Sequence, residues 1–67
     1  MTEIPKDQLQ NYFNQEIIIR ENNHDNVCVF SRIESSWLCG VSLTNRSAIK
    51  ILINSKNDEH ENKYYLK

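Results

Sequence analysis

Residues 26–43, NVCVFSRIESSWLCGVSL, are apolar at odd and at even positions, and Arg32 and Glu34 are the only charged residues that interrupt them. A half-buried strand alternates apolar and polar residues, so this segment predicts strands that are apolar on both faces. A chain of 67 residues is small, and folding at this size buries only about 60% of the surface of the unfolded chain. We therefore expect part of this apolar surface to need cover from a partner.

The flanking segments predict one helix followed by strands. TEIPKDQLQNYF favours a short N-terminal helix, because Pro5 suits a first helical turn. Leu9, Tyr12 and Phe13 then form one apolar stripe. Strands are expected in QEIIIRE, VCVFSRIES, WLCGVSLT, AIKILIN and KYYLK, and turns in NNHDN, SS and NRS. The predicted class is α+β: a short N-terminal helix followed by a four- to five-stranded antiparallel meander, as a small barrel or strongly curled sheet, in one domain over residues 1–67.

The pairing of the second and third predicted strands sets which side chains share a face. A turn at Ser35 and Ser36 with an uninterrupted register places on one face Cys28, Phe30, Trp37, Cys39, Val41 and Leu43. The other face then holds Val27, Val29, Ile33 and Leu38. One short helix covers only one face of a sheet. Because exposed apolar patches of more than a few hundred Å² usually mark interaction sites, the second face predicts a bound partner.

The charge balance excludes some classes of partner. Eight basic and nine acidic residues give a net charge of −1, whereas duplex-binding domains normally carry a basic excess that neutralises phosphates.

The sequence shows no apolar run long enough to span a membrane and no cleavable signal. Two cysteines are too few for a secreted disulfide scaffold. We therefore expect a cytoplasmic protein with reduced thiols and no membrane partner.

The residues that carry metal or acid–base chemistry are few. Cys28 and Cys39 have the spacing C-x10-C, and His24 and His60 are the only residues of their type. These four side chains form the one candidate zinc set, but no close C-x2-C pair anchors it, and free cysteines commonly pack as small buried hydrophobes. No nucleophile motif accompanies the histidines. We predict no enzyme activity, no metal, no cofactor and no small-molecule substrate.

The residues left as candidates point to protein binding. Trp37 is the only tryptophan, and tryptophan is enriched among binding hot spots. The alternative is a Trp37 that closes one end of the core, because tryptophan is highly buried on average. The main hypothesis is a non-enzymatic module that docks an apolar sheet face or strand edge onto a larger protein or a second copy. A phage or mobile-element inhibitor of a host or defence protein is its concrete form. The predicted partner-binding residues are Trp37, Leu38, Val27, Val29, Ile33, Arg32 and Glu34.

The segment RIESSWLCGVSLTN, residues 32–45, resembles the bent second strand and apolar third strand of the Sm-like small barrels, which include bacterial RNA chaperones. SH3-like barrels show the same pattern. Ser31 stands where the Sm-like families have glycine, and AIKILIN has Lys50 but lacks their Lys-His pair. The resemblance implies a small barrel, oligomerisation through strand edges and, as the alternative function, RNA binding. The contacts to RNA would then come from Arg46, Lys50, Lys63 and Tyr64.

Overall fold

A computed structural model describes residues 2–53 and 62–67 of the chain as one antiparallel sheet with a short helix. The strands are β1 (Thr2–Ile4), β2 (Glu16–Glu21), β3 (His24–Glu34), β4 (Trp37–Ser42), β5 (Ser47–Leu52) and β6 (Lys63–Leu66), and the helix is Lys6–Tyr12. Their order in the sheet is β1-β6-β2-β3-β4-β5. Strands β2 to β5 therefore follow one another as a meander, and β6 returns to the free side of β2.

The predicted fold class is wrong, although the prediction of a strand-rich chain holds. A strand precedes the helix, the sheet has six strands, and within the described residues β5 pairs only with β4, so the sheet does not close into a barrel. The alternation of apolar and polar residues does not predict β1, because a strand of three residues is too short to show it. This strand takes its register from the far end of the chain, where Thr2 faces Leu66 and Ile4 faces Tyr64.

The segment Lys6–Tyr12 is a 3₁₀ helix rather than an α-helix. Pro5 is extended at its start, no side chain caps it, and the Gln8 N–H donates to the Pro5 carbonyl at 2.9 Å, an i to i+3 bond. Its apolar stripe is nevertheless used as expected, because Leu9 is buried and Tyr12 and Phe13 pack against the core. The helix thus covers one part of the inner face.

The predicted turns lie at the expected places between β2 and β3, between β3 and β4, and between β4 and β5, but two are placed too far along the chain. His24, Asp25 and Asn26 of the predicted NNHDN turn belong to β3, and Ser47 of the NRS turn begins β5. Asn22 and Asn23, and likewise Ser35 and Ser36, have positive φ angles and form two-residue loops. Two consecutive positive φ angles give the twist that matches paired strands. The polar loop predicted in SKNDEHENK falls mostly outside the described residues.

A β-bulge interrupts the pairing of β3 with β4. Next to the turn Arg32 faces Cys39, but the following pair is Phe30 with Gly40, so Ser31 is left without a partner position. A slip of one residue moves every later side chain to the opposite face. The expected grouping of Cys28 and Phe30 with Val41 and Leu43 is therefore wrong.

Gly40 allows the two strands to approach each other at the bulge. A Cβ atom at this position would lie 2.1 Å from the Val29 carbonyl oxygen and 2.7 Å from the Phe30 Cα. Both are backbone atoms, which cannot move aside as a flexible side chain does. The single glycine of the chain is thus required where β4 packs against the irregular part of β3.

The core lies on the inner face of the curled sheet. Its buried members come from β1, the helix, β2, β3, β4 and β6: Ile4, Leu9, Ile17, Ile19, Cys28, Phe30, Leu38 and Tyr64. Ile49, Ile51 and Ile53, in β5 and just after it, pack against this cluster but are only partly buried. The core is therefore complete in the middle of the sheet and less well covered at β5.

Candidate functional site

The outer face of β3 and β4 carries a cluster of exposed apolar side chains. Val29 faces Val41, Val41 faces Ala48, and the Leu43 N–H donates to the Val27 carbonyl at 2.7 Å. The outer apolar face consists of Val27, Val29, Val41, Leu43 and Ala48. Val41 and Leu43 are 49% and 47% exposed, and the two β3 valines are half-buried. Beyond the bulge the same face continues to Trp37, which is 41% exposed.

A shallow groove of about 460 Å³ crosses this face between β4 and β5. Its apolar lining comes from Val41, Leu43 and Ala48, and Arg46 lies at its rim in the turn before β5. Arg46 and Lys50 have no ion-pair partner within residues 2–53 and 62–67. The outer apolar face is thus bordered by positive charge, although the whole chain carries a net charge of −1.

The structure divides the predicted partner-binding residues between two faces. The register of β3 with β4 places five of them on the outer face: Val27, Val29, Arg32, Glu34 and Trp37. Leu38 is fully buried in the core, and Ile33, its cross-strand neighbour, belongs to the same inner side with 40% exposure. Leu38 is therefore a core residue and offers no surface to a partner.

Sequence reasoning missed Val41 and Leu43, the two most exposed large apolar residues described. An uninterrupted register assigns them to the side of Phe30, and the bulge at Ser31 reverses that assignment. The available signal was Gly40, because an isolated glycine inside a strand indicates a bulge or a close backbone approach.

Cys39 lies under polar neighbours on the outer face. Its Sγ lies 3.9 Å from Glu34 Oε2 and 3.6 Å from the Trp37 carbonyl oxygen, either of which can accept its single S–H, and Arg32 Nε lies 3.4 Å from Glu34 Oε1. Cys39 is therefore 96% covered although it does not belong to the core cluster. The Arg32–Glu34 pair itself is exposed, and exposed pairs contribute little to stability.

The other predicted chemical residues are not assembled into a site. Cys28 and Cys39 are free thiols on opposite faces of the sheet. Burial raises the pKa of the Cys28 thiol, and a hydrogen bond with the Ser42 side chain partly offsets this shift. His24 is exposed at the start of β3, and His60 lies outside the described residues. Within the part of the chain described, no three residues of His, Cys, Asp or Glu type come close enough to hold a metal ion.

The residues suggested for RNA binding are separated in the same way. Arg46, Lys50 and Lys63 are exposed, but Tyr64 is 3% exposed and belongs to the core cluster. A base would need an accessible ring to stack on. The exposed cations therefore lack the accessible aromatic partner that the alternative function assigns to Tyr64.

A second polar cluster lies on the outer side of β2. Arg20 binds Asp25 through two bonds, from Nε to Oδ1 at 2.8 Å and from Nη2 to Oδ2 at 3.0 Å. The guanidinium also lies 4.9 Å from the centre of the Tyr65 ring. The hydrogen bond from Arg20 holds the pKa of the Asp25 carboxyl below its usual value. This cluster pairs its own charges and leaves the positive border of the outer apolar face unbalanced.

The described residues contain no helix that is both long and apolar enough to cross a lipid bilayer.

Comparisons with known proteins give no relative from which a function could be transferred. No protein-family model matches the chain, and no curated protein and no solved structure matches it significantly.

Proposed function

We propose that this chain is a small non-enzymatic protein-binding module and that the outer apolar face is its contact surface. The observation that carries the proposal is the exposure of Val41 and Leu43, each close to one half, beside a groove with apolar walls. A small domain gains stability by burying such side chains, so leaving them on the surface is costly unless another molecule covers them.

The composition of this surface is typical of a binding face. Its centre is aliphatic, Trp37 lies at one end, and Arg32, Arg46 and Lys50 stand around it. Interfaces commonly combine an apolar centre with a polar rim, and tryptophan and arginine are enriched among the residues that contribute most of the binding energy. The predicted inhibition of a host or defence protein is one form of this function and stays a prediction.

A charge placed in the centre of the outer apolar face tests the proposal. The double variant Val41→Lys, Leu43→Lys should recover at least about tenfold less of the specific partner from source-cell extract, a change of about 1.4 kcal/mol. Both side chains are exposed, so the variant should keep the circular dichroism spectrum of the wild-type chain.

The pair of substitutions Gln10→Lys and Gln15→Lys is the matched control, because it adds the same two charges at exposed positions in and just after the 3₁₀ helix. It should recover as much partner as the wild-type chain. Light scattering of each purified protein separates a foreign partner from a second copy. Equal recovery by the double variant and the control, together with a wild-type monomer, would overturn the assignment of this surface.

A further inference from the structure

The edge of β5 that no other described strand pairs with faces a slot. The slot has a volume of about 320 Å³. Its lining includes Ile19, Cys28, Ile49, Lys50, Ile51 and Asn62. One wall is therefore the edge strand, and the opposite wall lies next to β6, which begins one residue after Asn62. Among the described strands β5 and β6 do not pair, and the slot lies between β5 and the residue that precedes β6.

The inner side chains along this edge are incompletely covered. Ile49 and Ile51 point to the core side but are only partly buried, whereas Ile17 and Ile19 in β2 are 0% and 4% exposed. An edge strand also presents unpaired N–H and C=O groups along its open side. A further strand would satisfy these groups and cover both isoleucines at once.

Asn62 supplies an independent sign that the slot takes a ligand. Its side-chain oxygen, Oδ1, is buried and has no hydrogen-bond donor among the residues that the structure describes. A buried acceptor without a donor costs free energy that a bound N–H group would recover. The backbone N–H of an inserted segment, or an amide side chain on it, is a donor of the required kind.

Lys50 indicates the charge of the segment. It lies between Ile49 and Ile51, so its side chain stands on the outer face while theirs stand on the inner face. It is exposed and has no acidic partner in the described ranges. Glu21 in β2 is the other charged residue of the described lining, so the segment's carboxylate belongs at the β5 side of the slot. A neighbouring strand with an apolar, an acidic and an apolar residue in sequence would match this edge position by position.

We propose that the β5 edge and the slot bind an extended segment of a partner protein, with alternating apolar and acidic residues, as an added strand. The apolar side chains enter the slot over Ile49 and Ile51, the carboxylate faces Lys50, and an N–H group of the segment donates to Asn62 Oδ1. This inference rests on the proposed function as a protein-binding module. It shares Lys50 and Ala48 with the outer apolar face and its border but otherwise uses the β5 edge and the inner slot.

A second copy of this chain does not supply the required segment through its own edge. The other edge strand, β1, has the sequence TEI with an exposed Glu3 between two inner-facing residues. Ile4 is already buried in its own core, at 3% exposure. Its side chain is therefore not available to fill a neighbour's slot, and a three-residue strand offers few backbone bonds.

The test uses the full chain and the synthetic peptide acetyl-STIEVTS-amide at up to about 1 mM, followed by nuclear magnetic resonance of backbone and side-chain amides. We expect shifts at β5 amides and at the Asn62 side-chain amide, and at least fivefold weaker binding of acetyl-STIKVTS-amide. The variant Lys50→Glu should reverse the preference between the two peptides. Lys67→Glu, the same charge change one residue after β6, also removes the exposed ion pair of Lys67 with Glu16 but should leave the preference unchanged.

Three outcomes would overturn the inference: no shift at β5, shifts confined to the outer apolar face, or an unchanged preference in Lys50→Glu. The Val41→Lys, Leu43→Lys variant separates this result from the proposed function. If the inference holds, that variant still binds the peptide while its recovery of partner falls. If the peptide does not bind, but the Val41→Lys, Leu43→Lys variant still recovers less partner than the wild-type chain, the slot alone is rejected and the proposed function stands.

Discussion

Strands β2 and β5 have similar sequences, EIIIRE and SAIKIL, but very different surroundings. β2 lies between β3 and β6, and its inner residues Ile17 and Ile19 are almost completely buried. β5 lies beside β4 alone among the described strands, and its inner residues are partly exposed. Isoleucine content therefore predicts that a segment is a strand, while the number of neighbouring strands decides how much each side chain contributes to stability.

Gly40→Ala should have one of the largest effects, because it disturbs the contact through which β4 and β5 are joined to the centre of the sheet. The added methyl group would meet the Val29 carbonyl oxygen at 2.1 Å, so the strands must separate at the bulge. We expect a loss of about 3 kcal/mol or more in the free energy of unfolding, measured in urea by circular dichroism. Ser31→Ala, at the exposed bulge residue, is the control and should change stability little.

Ile17→Ala and Ile51→Ala compare the centre and the edge directly. The first removes a fully buried side chain and should cost about 3–4 kcal/mol, since it leaves a cavity in the core. The second removes a partly buried side chain and should cost about 1 kcal/mol, because solvent already reaches that position. Equal losses in urea unfolding would show that β5 is covered as well as β2 is.

Trp37→Ala should change stability by about 1 kcal/mol, well below the cost of removing a buried aromatic residue. Trp37 faces Leu52 at the end of β5 and remains 41% exposed. Phe30→Ala, at a fully buried site, should cost about 3–5 kcal/mol. If Trp37→Ala instead unfolded the chain as Phe30→Ala does, the tryptophan would belong to the core.

Asp25→Asn should have the smallest effect, and the effect should depend on pH. Arg20 lowers the pKa of Asp25 in the folded chain, so the pair stabilises the fold above the pKa of the unfolded chain, near 3.8. This contribution is lost as the pH falls through the lower, folded pKa. The melting temperatures of Asp25→Asn and the wild-type chain should therefore differ slightly at pH 7 and converge at about pH 2. If the melting temperatures still differed at about pH 2, the difference would have a cause other than the charge of Asp25.

The sequence located most strands and turns, because their signals are local. The Asn and Ser pairs at positions 22–23 and 35–36 mark two-residue loops, and the isoleucine runs mark strands β2 and β5. The strand β1 and its place beside β6 depend on contacts between the two ends of the sequence, which no local pattern contains.

The candidate surface was predicted only in part, because the bulge at Ser31 decides which side chains face outward. The turn at Ser35 and Ser36 correctly sets the pairs nearest to it, including Ile33 with Leu38. The bulge at Ser31 then reverses the faces, which moves Val41 and Leu43 outward and Phe30 inward. Alternation alone cannot show an inserted residue, since each half of β3 alternates correctly by itself.

The pairing of β6 with both β1 and β2 has a consequence for the order of folding. The hairpins from β2 to β5 join neighbouring segments through short loops, so they close quickly and at small entropic cost. Docking of β6 instead brings position 66 against positions 2 and 17, two contacts that join residues far apart in the sequence. The four strands from β2 to β5 would thus pair before β6 docks, and the edge of β2 would stay open to another strand until then.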